Sequence, residues 1–119
     1  MSSSGGLQTS FGAVSVTGPF TLPTRAVAGN TAMSGTDFAL NVTTGAGAVT
    51  ITLPAAPAPG RLAQVKKVDA GAGAVAVTPA SGTLDGAASQ SLAAQNHGVI
   101  VQSDGTNWFT VAEIAPTIL

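Results

Sequence analysis

The string VTITL at Val49–Leu53 alternates a branched or long apolar residue with a threonine. The string VAV at Val75–Val77 alternates in the same way. A period of two places successive side chains on opposite faces of an extended chain and leaves no stripe for a helix to bury. The pattern recurs along the chain. DFALNVTT sets Phe38, Leu40 and Val42 on one face, with Ala39, Asn41 and Thr43 opposite. RLAQVKKV sets Ala63 and Val65 inward, and HGVIVQ and NWFTVA flank SDGT, a hairpin signal. The best helix-forming segment, AASQSLAAQ, carries Leu92 as its only large apolar residue and reads as a loop or short strand. These features predict an all-β fold, a compact antiparallel β-sandwich or jelly-roll-like barrel, over residues 37–119.

The five residues GAGAV occur twice, at Gly45–Val49 and Gly71–Val75, 26 positions apart (71 − 45). Each reads as a small-residue turn feeding a strand, with Val49 and Val75 as the first inward residues. Two copies with diverging flanks fall short of the three stacked units of a solenoid, so two successive hairpins are expected. The small side chains of Ala48 and Ala74 are expected to admit a neighbouring subunit.

Residues 1–36 differ from the rest and predict an extended N-terminal arm. Pro19 and Pro23 bracket FTL and forbid a central strand there. Leu7, Phe11, Val14, Val16, Phe20 and Leu22 need apolar cover. That cover is either a partner's surface or the chain's own domain, with the arm as an edge strand.

Charged residues make up only 8% of the 119 positions, against about 25% in ordinary domains. Such a neutral surface predicts burial against other copies of the chain or a partner. Net charge is −1, and Arg25, Arg61, Lys66 and Lys67 are the only strong cations. Four are too few to neutralise a phosphate backbone, so no nucleic acid is expected. Lys66 and Lys67 fall on opposite faces of their strand and are expected at a solvated edge. No apolar run approaches the roughly 18 residues of a membrane span, so no membrane is expected. MSSSGGLQTSFG lacks the basic and apolar regions of a secretory leader, and synthesis in the cytoplasm is expected.

Reaction chemistry is sparse. The chain has no cysteine, which removes disulfides, thiolate nucleophiles and cysteine-based zinc sites. His97 is the single histidine, in the position of a polar strand-start residue. Asp85 and Asp104 each precede glycine, and Asp69 stands two before Gly71, so all three read as turn caps. No acidic spacing suits a calcium loop, and the glycine-rich strings lack a phosphate-binding lysine. No cofactor, no metal and no enzyme activity are expected. Trp108 and Phe109 are adjacent on a strand, so one enters the core. The other faces a partner subunit, a ligand or a covering loop.

Three segments, taken in order, resemble a small β module of tailed-bacteriophage virion proteins. They are TDFALNVTTGAGAVTITLPAAPAPGR, VKKVDAGAGAVAVTPASGTLDG and HGVIVQSDGTNWFTV. Such modules occur in tail fibres, baseplates and head-surface proteins. The resemblance implies a non-enzymatic virion component, commonly a homotrimer, that carries no catalytic residue. A short arm before a compact module is closer to a capsid decoration, or cement, protein than to a fibre with a long shaft. Such a protein is made in the host cytoplasm, sits on the outside of the phage head and binds the major capsid protein. The alternative is a receptor- or glycan-binding tip of a tail fibre or baseplate.

Overall fold

A computed structural model describes residues 17–55 and 58–115. These residues form nine strands and no helix. In chain order they are β1 Thr24–Val27, β2 Thr31–Ala32, β3 Ala39–Val42, β4 Val49–Leu53, β5 Leu62–Lys67, β6 Val75–Pro79, β7 Gln90–Leu92, β8 Gly98–Ser103 and β9 Trp108–Ile114. Sheet A has the order β1-β3-β5-β8-β9, and sheet B the order β2-β4-β6-β7.

The expected all-β class holds, but the antiparallel architecture does not. The pairs β1–β3, β3–β5, β2–β4 and β4–β6 are all parallel. Parallel neighbours cannot be joined by a hairpin, because the chain must first return to its starting end. Here the return run is itself a strand of the opposite sheet. The chain passes from β1 in sheet A to β2 in sheet B, back to β3, across to β4, then to β5 and β6. It thus coils three times before the pattern changes. The antiparallel strands β7, β8 and β9 then complete the two sheets.

The GAGAV strings are therefore not successive hairpins. They are equivalent points on two stacked turns of the coil, with Val49 in register with Val75 and Leu53 with Pro79. The loops touch through their backbones. Gly73 N–H donates to Gly45 O at 3.0 Å, and Val49 N–H to Ala74 O at 3.0 Å. A Cβ on Gly71 would collide with Gly45 O, and one on Gly73 with Gly47 O. Glycine is needed here for close approach. Gly71 and Gly73 serve a contact inside one chain.

The core follows the alternation read from the sequence. Leu40, Val42, Ala63, Val65, Val99, Val101 and Trp108 of sheet A meet Val49, Ile51, Leu53, Val75, Val77 and Leu92 of sheet B in one buried cluster. Full burial of each such aliphatic side chain contributes about 1.5–3 kcal/mol. The Trp108 indole N–H donates to Pro54 O at 3.2 Å, which ties the start of β9 to the end of β4.

Part of the segment read as an arm belongs to this body. Thr24–Val27 pairs with Ala39–Val42, and Thr31 and Ala32 pair with Ile51 and Thr52. Both are edge strands. The boundary of the expected arm at residue 36 therefore does not hold, because Thr24–Val27 and Thr31–Ala32 are strands of the two sheets.

The loop packing separates two superficially similar changes. Gly73→Ala is expected to lower the thermal midpoint markedly, because backbone rather than a flexible side chain blocks the new methyl. Gly47→Ala, with open space at its Cβ position, is expected to change the midpoint little. Thermal unfolding followed by circular dichroism compares the two.

Candidate functional site

The charged residues are occupied mainly with internal ties. The inward phase of β5 runs from Ala63 through Val65 to Lys67, so Lys67 is fully buried. The expectation of a solvated edge fails because β5 is the middle strand of sheet A. At the end of the core, the Lys67 ammonium reaches Thr44 Oγ1 at 2.9 Å and Asp69 Oδ1 at 2.9 Å. It also reaches the carbonyls of Gly71 at 2.8 Å and Asp69 at 3.0 Å. The Asp69 carboxylate accepts the N–H groups of Thr44 and Gly45 at 3.0 Å each, and of Gly71 at 3.1 Å. Those N–H groups, together with Lys67, hold its carboxyl well below the usual carboxylate range. Asp69 is thus a turn cap as expected, and it caps loops on two turns of the coil at once.

Two other clusters act similarly. Arg25 donates twice to the Asp37 carboxylate, at 3.2 and 2.7 Å. That contact, with the Ser34 N–H, lowers the Asp37 carboxyl to about 2. The Arg61 guanidinium donates to the carbonyls of Ser34 and Asp37. Three of the four strong cations therefore bind the chain's own loops, which leaves no cationic patch of phosphate-binding size. His97 Nε2 lies 2.6 Å from Glu113 Oε2, joining the start of β8 to the end of β9. Asp104 caps the β8–β9 turn through the N–H groups of Thr106 at 2.9 Å and Asn107 at 2.8 Å. Asp85 accepts from Thr110 N–H at 2.8 Å, with its own backbone in the left-handed region. Among the described residues no group of three His, Asp or Glu side chains could hold a metal ion. No helix among them is long and apolar enough to cross a membrane.

What remains for contact with another molecule is apolar surface. The large apolar residues exposed among the described positions are Phe20 (68%), Leu22 (46%), Leu62 (41%), Phe109 (43%) and Val111 (53%). Trp108 supplies the core and Phe109 the surface, which assigns the adjacent aromatics. Leu62 pairs with Gln102, and Gln102 with Phe109, so the three form one row across the outer face of sheet A. Gln64, Ile100 and Ala112 form the next row. The outer face is thus a mixed surface of aliphatic, aromatic and amide groups. Phe20 and Leu22 lie at the far edge of the same sheet, just before β1. Leu7, Phe11, Val14 and Val16 lie outside the described residues.

Leu62 and Val111 were not singled out from the sequence. The phase of β5, with Ala63 and Val65 inward, already implies an outward Leu62. The exposure of Val111 depends on a β-bulge: Val101 pairs with Thr110 but Ile100 with Ala112, so Val111 is the extra residue. No local sequence pattern marks that position.

No protein-family model and no curated protein matches the chain.

Two outcomes check the polar ties. Lys67→Met is expected to cost about 3 kcal/mol, the scale for breaking a buried ion pair by removing one partner. Lys66→Met, on the outer face, is expected to stay within about 0.5 kcal/mol. Urea unfolding measures both. For acid, the folded carboxyls of Asp37 and Asp69 lie below their unfolded value of about 3.9. Their contribution is therefore present above about pH 4 and is lost progressively as the pH falls to 2 and below. The thermal midpoint is expected to drop across that window, and Asp37→Asn to shrink the drop. A midpoint that stays flat there would contradict the assignment.

Proposed function

We propose that the chain is a structural, non-enzymatic virion protein, a homotrimeric decoration (cement) protein on the outer surface of a phage head. In this reading a two-sheet β-sandwich sits over contacts between major capsid protein subunits, and an arm upstream of Thr24 reaches along the shell. The observation that carries the reading is the division of labour among side chains. Most of the charged groups tie loops within the chain, while Phe20, Leu22, Leu62, Phe109 and Val111 are left exposed. A protein packed among many copies on a particle needs little charge for its own solubility. Three equivalent weak contacts, engaged together, give avidity without a large single interface. The resemblance of the motif order to virion modules favours the same reading.

A second reading rests on Phe109. An exposed aromatic beside Gln102 and Leu62 on the outer sheet face also suits the tip of a tail fibre or baseplate that binds a glycan or receptor.

Removal of residues 1–22 is expected to abolish incorporation into heads while leaving the folded body and its self-association intact. Cryo-electron microscopy of particles made with the truncated protein checks this, and normal decoration would overturn the arm assignment. Immunogold labelling of intact particles separates the two readings: uniform label on the shell supports the first, and label confined to the tail tip supports the second.

A further inference from the structure

Sheet A has two open ends, and they match. Neither β1 nor β9 has a strand on its outer side among the described residues. Edges of this kind usually carry a guard of lysine, proline or a covering loop. The loop around Leu84–Ala87 covers the first half of β9: Trp108 N–H donates to Thr83 O, Asp85 N–H to Trp108 O, and Thr110 N–H to the Asp85 carboxylate. The remaining stretch, Val111–Ile114, is four residues long, and so is β1.

Strand direction matches too. β1, β3 and β5 are parallel, β8 opposes β5, and β9 opposes β8. It follows that β9 runs in the same direction as β1. A second copy could therefore add its β1 to the β9 edge without changing orientation, in the same parallel pairing that β1 already makes with β3.

The register supplies charge complementarity. Arg25 pairs with Leu40, Leu40 with Val65, Val65 with Val99, and Val99 with Glu113. A single cross-strand row thus begins at Arg25 and ends at Glu113, both on the core side of the sheet. Extending the sheet without stagger sets Arg25 of the next copy, which also holds Asp37, beside Glu113, which also meets His97. The same register aligns Thr24 with Ala112 (an offset of 112 − 24 = 88) and brings Leu22 to position 110, level with the exposed Phe109 and Val111.

We infer that copies of this chain associate head to tail through sheet A, with β1 of one copy pairing in parallel with residues 112–115 of the next and Arg25 opposite Glu113. The inference builds on the self-association proposed above and does not depend on the particle that the protein decorates. Two different edges meet, so the contact is heterologous. It closes into a ring when the rotation between copies allows, and a homotrimer is three such contacts.

The chain has no cysteine of its own, which makes a cross-link test clean. Adjacent strands lie about 4.8 Å apart, within the Cα separation that a disulfide spans. Under mild oxidation the double variant Arg25→Cys/Glu113→Cys is expected to form disulfide-linked trimers. Either single variant is expected to give no linked species. Glu113→Arg is expected to weaken association roughly tenfold, and Arg25→Glu in the same chain to restore it, with circular dichroism confirming the fold of each. Light scattering on the unaltered protein separates the possible failures. A trimer whose double variant does not cross-link would overturn this interface and leave self-association standing. A monomer would overturn both. Cross-linking of Glu113→Cys alone would replace the head-to-tail contact with a symmetric one.

Discussion

The Lys67 ammonium and the Asp69 carboxylate hold consecutive turns of the coil at a fixed height. The loop after β3 offers Thr44 and Gly45, and the loop after β5 offers Asp69 and Gly71. One buried cation and one carboxylate satisfy groups on both. A register slip by one residue would turn every inward side chain of a strand outward, and it would also strand a fully buried charge. The glycines beside this clip complete the constraint, because only a chain without Cβ atoms lets Gly71 and Gly73 approach Gly45 and Gly47 so closely. The stacked loops deliver Val49 and Val75 into the core in register, and the parallel halves of both sheets follow from that start.

The residue-level pattern was legible, and the connectivity was not. Alternation gave the inward set Leu40, Val42, Val49, Ile51, Leu53, Val65, Val75 and Val77 correctly, because side-chain phase is a local property. The β8–β9 hairpin and its Asp104 cap were also readable, since turn chemistry is local. Parallel against antiparallel pairing depends on where the chain returns, which alternation does not encode. The coil hid itself by irregular spacing. Successive partners in sheet A stand 15 residues apart at Thr24 and Ala39, then 25 apart at Ala39 and Gln64. In sheet B the spacings are 20 and then 26. Only the last step kept its loop sequence, so only two GAGAV copies show a repeat.

The candidate contact surface was legible in part for the same reason. Trp108 and Phe109 had to face opposite ways, but which one enters the core depends on the phase of β8 across the hairpin and on the Pro54 carbonyl that receives the indole. Lys67 ran against a sound general rule that lysines lie at the surface. The signal that overrides the rule is the company it keeps: a lysine in the inward phase, two residues before an aspartate in a glycine-rich loop. The proposed structural role draws on that same economy of charge, since groups committed to internal ties leave an apolar and amide surface exposed.

The central claim is the parallel coil, and backbone nuclear Overhauser contacts in solution test it most directly. Parallel, in-register pairing of β4 with β6 predicts contacts at a constant difference of 26: Val49 with Val75, Ile51 with Val77 and Leu53 with Pro79. An antiparallel hairpin would instead give contacts whose residue numbers have a constant sum, and that pattern would contradict the account.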